Sequence, residues 1–189
     1  MKIITKNEFL ENSDFYFNEI KSGKIFVYPT DTIYGIGCDA VNEKSITKIR
    51  EIKQRESKPM SVIIPNIEWI EKNCFIDKSG KKELEKLPGP FTFILKLKNF
   101  NSIAKDLLIG DLKSIGVRIP DNWFSSWLSK NKLVFVTTSV NVSGEPHLVD
   151  PKNLKKEIGN KIDYLISDEP LTGNPSKIIN LINKEILRD

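Results

Sequence analysis

The chain has 189 residues, 39% of them hydrophobic and 29% charged, which is long enough for a buried core and too apolar for a disordered protein. Its 29 basic and 25 acidic residues leave a formal net charge of +4, which permits contact with phosphate or nucleic acid without demanding it. No apolar run approaches the roughly 18 residues of a membrane span, Met1 to Asn7 lack the apolar core of a signal peptide, and Cys38 and Cys74 make neither a disulfide framework nor a zinc pattern. Reduced, partly buried thiols and a cytoplasmic location follow by elimination.

The elements read as follows in chain order. Thr5-Lys6-Asn7-Glu8 is a capping box, and it predicts a helix over 6–21 that Gly23 ends. Residues 25–28 read as a strand feeding a loop from Pro29 to Gly37. Asn42 caps a helix through Arg50, with Ile46 and Ile49 three apart. Ser61-Val62-Ile63-Ile64 is a buried-type strand stopped by Pro65, followed by helices near 67–73 and 79–87. Residues 91–97 read as a strand beginning after Pro90, and 115–119 as another ended by Pro120. Asp121 or Asn122 caps a helix over 123–129. Leu133-Val134-Phe135-Val136-Thr137 is a buried strand emptying into Thr138 to Gly144. A helix after Pro151, a strand at 164–166 and a closing hairpin of 176–181 with 185–187 complete the chain. With no repeat or linker, residues 1–189 make one α/β domain with at least some parallel pairing.

The chemistry gathers in short polar elements at the ends of these apolar runs, where α/β proteins place their sites. Lys53-Gln-Arg-Glu-Ser-Lys-Pro-Met60 sets Lys53, Arg55 and Lys58 within six positions. Cations that close repel one another, and an anion of several charges relieves the repulsion; a solvated helix end is the ordinary alternative. Thr30, Asp31, Thr32 and Tyr34 make either a hydrogen-bonded turn or one wall of a polar pocket. Thr138, Ser139, Asn141 and Ser143 pose the same choice and suit ribose, phosphate or carboxylate. Arg118 alternates with Val117 and Ile119, so it points away from their face. If that direction is inward, Arg118 needs a partner or an anion. His147 is the only histidine and reads as a loop residue. There is no G-x-x-x-x-G-K-[ST] loop, no third glycine after Gly35-Ile36-Gly37 at dinucleotide spacing, and no nucleophile–histidine arrangement.

Six elements in order, Y-P-T-D-T-x-Y-G-x-G, K-x-R-x-x-K-P-M, P-G-P-x-T, G-V-R-I-P, T-S-x-N-x-S-G and a late G-x-P-S, run from Tyr28 to Arg188. Together they resemble the threonylcarbamoyl-AMP synthase family, also called YrdC/TsaC. The resemblance implies a single-domain, twisted, open mixed sheet flanked by helices, with a concave basic groove. It also implies the joining of L-threonine, bicarbonate or CO2, and ATP into L-threonylcarbamoyladenylate with release of pyrophosphate. Magnesium would enter with ATP and need no protein ligand set. Carried over by motif, Lys53 and Arg55 would be catalytic, and Arg55, Lys58, Thr92, Asn141 and Arg188 would bind ATP. Thr32, Lys96, Arg118, Ser139 and Ser176 would bind threonine. The implied partners are a tRNA or double-stranded RNA and the downstream proteins that transfer the threonylcarbamoyl group to tRNA.

Two departures stand out. The interval from Arg55 to Lys58 is one residue shorter than in many members, and Pro146-His147-Leu148-Val149 lacks the Ser or Thr that often follows S-G-x-P. The second domain of longer members is not expected. The other functions kept in view are a carbamoyl-adenylate-forming domain and a double-stranded RNA-binding module. Against the latter stand the weak charge and the lack of an aromatic-rich RNA motif.

Overall fold

The computed structural model describes residues 1–54, 59–108 and 113–189. Among them, ten strands form one mixed sheet. They are β1 (Lys2–Thr5), β2 (Phe26–Tyr28), β3 (Gly35–Gly37), β4 (Ser61–Ile63), β5 (Phe91–Lys96), β6 (Ser114–Arg118), β7 (Phe135–Ser139), β8 (Tyr164–Ser167), β9 (Lys177–Asn180) and β10 (Glu185–Arg188). The order across the sheet is β1-β8-β2-β3-β7-β4-β6-β5-β9-β10. β8 runs parallel to both β1 and β2, β4 to β6, and β5 to β9. The other neighbours are antiparallel.

Successive strand residues face opposite sides of a sheet, and this chain is apolar on both. Val27, Val62, Val117, Val136 and Leu165 enter one core, beneath α3 (Glu43–Ile52), α4 (Ile67–Asn73) and α5 (Lys78–Leu84). Phe26, Tyr28, Ile63, Phe135, Tyr164 and Ile166 enter the other, beneath α1 (Lys6–Glu11), α2 (Ser13–Lys21) and α6 (Trp123–Lys130). The second core is strongly aromatic: Phe9 stacks on Tyr16 at 4.9 Å and meets Trp127 edge-on at 4.8 Å. Asn42, Asn66, Asp77 and Asn122 cap α3, α4, α5 and α6, each accepting a bond from the backbone N–H three residues on. Among the described residues, no helix is long and apolar enough to cross a membrane.

The structure corrects five elements. The helix expected over 6–21 breaks at Asn12, whose side-chain Nδ2 donates to the Glu8 carbonyl at 2.9 Å and so competes with the helical ladder. Residues 2–5 form a strand that no alternation announced, paired with β8. Residues 35–37, expected within a loop, form β3 between β2 and β7. Its glycines are required by contact, because a Cβ on Gly37 would lie 1.8 Å from the Val136 carbonyl oxygen and one on Gly35 would lie 2.9 Å from the Tyr28 ring. β7 correspondingly runs to Ser139, two residues past its expected end, since Thr138 and Ser139 pair with Ile36 and Gly35. The helix expected after Pro151 is a 3-10 turn and the single-turn α7 (Lys156–Gly159).

Two predictions follow from this packing. Gly37→Ala forces β3 away from β7, and we expect a loss of about 1–3 kcal/mol or more in chemical denaturation. Both cysteines are buried, and burial pushes the Cys38 thiol well up and the Cys74 thiol up to about 12. A thiol reagent at neutral pH should therefore leave the native protein unmodified and titrate both cysteines once denaturant is added.

Candidate functional site

The helices cover the sheet unequally. α1, α2 and α6 reach β4 at Ile63 but stop short of β6, β5 and β9, and the face they leave open carries the cleft. Its floor is written in alternate strand positions. Thr137 and Ser139 come from β7, Ser61 from β4, Arg118 from β6, Thr92 from β5 and Ile178 from β9. Each neighbour in between, such as Val136, Val62, Val117, Phe93 and Ile179, goes to the core beneath. Thr30, Tyr34, Pro175, Ser176 and Arg188 form the rims. Gly116 keeps the floor low, because a Cβ there would meet Ser61 Oγ at 2.5 Å. The walled volume is about 140 Å³, smaller than the roughly 300–1,000 Å³ of larger ligand pockets and suited to a molecule of amino-acid size.

Arg118 is the charged centre of this floor. It is buried, and its Nη2 donates to Asp31 Oδ1 at 2.6 Å and, at 3.4 Å, to Thr32 Oγ1. The other Asp31 oxygen accepts from the Asp121 N–H at 3.1 Å. The inward arginine therefore has its partner, yet among the described residues its Nε is buried with no hydrogen bond. Burial pulls the guanidinium below its ordinary range, and Asp31 opposes that. Arg188 reaches in from β10. Its Nε donates to the Ser176 carbonyl at 2.8 Å and its Nη2 to Ser176 Oγ at 3.1 Å. Burial, and then the charge of Arg118, lower its pKa, so the two guanidiniums face one cleft and repel. Ser176 Oγ also lies 2.8 Å from Thr92 Oγ1.

Ser139, two strands across from Arg118, presents an acceptor to the cleft. Ser139 Oγ donates to Asn141 Oδ1 at 2.6 Å, and a hydroxyl has one proton to give. Ser139 is thus left with lone pairs for a ligand. Thr30 Oγ1 accepts from the N–H groups of Thr32 and Ile33 and donates to the Ile33 carbonyl at 2.7 Å. Its proton is spent too, which makes Thr32 the donor in the 3.0 Å contact between the two threonine hydroxyls. Tyr34 lines the cleft with its ring, but its hydroxyl is turned away between the Glu169 carbonyl and the Asp168 N–H, both at 3.1 Å; burial pushes it up to about 12.

The structure sorts the residues named from the sequence. Thr92, Arg118, Ser139, Ser176 and Arg188 line the cleft. Thr32 sits behind its wall, buried, against Thr30 and Arg118. Lys53 is also buried, with its ammonium turned to the Ser139–Asn141 segment. Asn141 faces a second cavity on the far side of that segment. Lys96 lies apart from them: it is four residues along β5 from Thr92, about 13 Å away at strand rise, with its ammonium 5.7 Å from the Phe75 ring. Arg55 and Lys58 lie outside the described residues. Sequence reasoning did not single out Ser61, Thr137 or Ile178, whose signal was their place opposite core positions in short strands, and it quoted Gly116 in G-V-R-I-P without giving it a role.

Asp31→Ala leaves the buried Arg118 charge without its counterion. We expect it to cost about 3–5 kcal/mol of stability, read by chemical denaturation.

Comparison with known proteins agrees with this geometry. Residues 18–189 match the Sua5/YciO/YrdC family model, described as telomere recombination. A Methanocaldococcus jannaschii protein provisionally named threonylcarbamoyl-AMP synthase is 38% identical over 179 residues, 92% of this chain and 82% of its own. The Idiomarina loihiensis threonylcarbamoyl-AMP synthase is 29% identical over 178 residues, 90% of this chain and 93% of its own. Among solved structures, E. coli YciO superposes with a TM-score of 0.83 at 22% identity, covering all of this chain and 97% of its own. P. abyssi Sua5 complexed with L-threonine superposes with a TM-score of 0.85 at 23% identity, covering 96% of this chain. This chain spans about half of that longer protein, 55% of it. The match over residues 18–189 and the shared open sheet lead to one assignment: the chain belongs to the Sua5/YciO/YrdC family.

Proposed function

We propose that this chain is an L-threonylcarbamoyladenylate synthase, a nucleotidyltransferase that joins L-threonine, CO2 from bicarbonate, and ATP, and releases pyrophosphate. The observation that carries the reading is the polarity of the cleft. Two arginines stand on one side, one with a buried Nε that has no hydrogen bond among the described residues, and the Ser139 lone pairs stand on the other. An amino acid has that pattern, with an anionic carboxylate and an N–H-bearing end. The names of the curated relatives and the threonine complex of a structural neighbour agree with it.

In this reading the Arg118 guanidinium holds the threonine carboxylate, with Asp31 and Thr32 fixing its plane. Ser139 accepts from the threonine amine, and we assign Ser176, which is bonded to Arg188 and Thr92 on the arginine side, to the far end of the same substrate. The amine nitrogen bonds to the carbon of CO2 and loses a proton to solvent, giving a carbamate. A carbamate oxygen then attacks the α-phosphorus of ATP, and the bond to the β-phosphate oxygen breaks as pyrophosphate leaves. Charge builds on phosphate oxygens, so preplaced cations are what the protein must supply. Arg188 and Thr92 stand on the nucleotide side, and we assign Arg55 and Lys58 to the phosphates. Among the described residues no three His, Cys, Asp or Glu side chains gather to hold an ion. We therefore assign magnesium to the ATP phosphates, where it neutralises charge. The product would serve tRNA threonylcarbamoylation in the cytoplasm, through downstream transfer proteins.

The test is pyrophosphate release from Mg-ATP. It should require both threonine and bicarbonate, and Arg188→Ala should lower kcat/KM by roughly 10²–10³-fold. Release without threonine would assign a carbamoyl-adenylate reaction instead. No release, together with salt-sensitive binding of double-stranded RNA, would assign an RNA-binding module.

A further inference from the structure

Lys53 opens the three-cation segment, and by motif alone it would be catalytic, helping Arg55 and Lys58 at the ATP phosphates. The structure gives that ammonium other partners. The residue is 1% exposed, and its Nζ donates to the Ser139 carbonyl at 2.5 Å, the Asn141 carbonyl at 3.1 Å and Asn141 Oδ1 at 2.9 Å. Its own carbonyl accepts from the Ser143 N–H at 3.1 Å. The C-terminal end of α3 is thereby stapled to the turn that follows β7. An ammonium only donates, which fixes the oxygen of the Asn141 amide on the Lys53 side. The amide nitrogen points the other way and donates to the Glu145 carbonyl at 2.7 Å.

That oxygen has a second suitor. Ser139 Oγ donates to it at 2.6 Å, and the only other contact from Lys53 to that hydroxyl is long, at 3.5 Å. An amide oxygen cannot donate back, so the Ser139 proton is committed away from the cleft. We propose that Lys53 is a positioning residue. It holds the Ser139–Asn141 turn and, through the Asn141 carboxamide oxygen, makes Ser139 an acceptor for the amino group of the substrate amino acid. The assignment rests on the synthase reading for the identity of that substrate. It differs from direct phosphate binding in what it controls, which is the amino-acid end of the cleft.

The experiment separates the two roles by KM. Pyrophosphate release is measured for the wild type, Lys53→Met, Ser139→Ala and the double variant, varying threonine at saturating ATP and then the reverse. Lys53→Met should raise the KM for threonine roughly tenfold or more, while the KM for ATP stays within about twofold. In the Ser139→Ala background the same change should add little, because the two residues act through one path. A rise in the KM for ATP with threonine unaffected, or fully additive effects, overturns the proposal. If Lys53→Met does not fold, Asn141→Ala removes the relay and keeps both backbone contacts of Lys53. It should show the same threonine-specific rise, and an unchanged KM for threonine overturns the proposal. A substrate-free readout keeps this test apart from that of the synthase reading. In NMR spectra, loss of Lys53 should shift the amides of residues 139–143 and the Asn141 side-chain NH2 group. Unchanged signals overturn the positioning role even if the enzyme is active, and shifted signals in a protein without threonine-dependent release sink the synthase reading alone.

Discussion

The molecule depends on a contact that only a missing side chain allows. β7 is the strand through which both halves of the sheet meet, pairing with β3 on one edge and β4 on the other. The first of these pairings brings the Val136 carbonyl against Gly37, where a Cβ would stand 1.8 Å from the oxygen. Everything downstream of β7 inherits this placement. Thr137 and Ser139 face the cleft because β7 is held in this register, and the turn anchored by Lys53 begins where the strand ends.

The site is otherwise a consequence of unequal cover. One face of the sheet is sealed along its length by α3, α4, α5 and the loops around them, while the aromatic layer of α1, α2 and α6 closes only part of the other. An open stretch of sheet lined by large apolar groups would be a liability. Here the positions facing it from the central strands are Ser61, Gly116, Arg118, Thr92 and Thr137, small or polar beside their core neighbours, and the apolar Ile178 enters only at the β9 edge. The alternation that builds the fold therefore also writes the cleft.

Much of this was legible in the chain. The Thr5–Glu8 capping box and the Asn42 and Asn122 caps began helices where expected, because a cap is a local hydrogen bond. Pro65 and Pro120 follow directly after strands β4 and β6, within two residues of their ends. What failed was non-local. β3 looked like a loop because two of its three residues are glycines, and their reason lies across the sheet at Tyr28 and Val136. Arg118 was readable as facing away from Val117 and Ile119, but whether that meant inward stayed open, because its partner, Asp31, lies 87 residues away. Thr92 and Ser176 belong to separate motifs 84 residues apart, and only the parallel pairing of β5 with β9 sets their hydroxyls together. Lys53 and Lys96 show the limit of charge as a guide. One is sealed inside the protein and the other lies over an aromatic ring outside the cleft, a distinction that composition does not carry.

The pairing of Arg118 with Asp31 has a consequence for selectivity. A bare guanidinium in a sheltered hollow would be a trap for chloride, phosphate or any small anion of the surrounding medium. With a carboxylate at 2.6 Å its charge is already balanced, and such ions gain little by entering. What remains unsatisfied is directional: a buried Nε–H that asks for an acceptor at one place. Arg118 thus reads the arrangement of a visitor's atoms more than its charge, and the charge that draws an anion toward the cleft is left to Arg188.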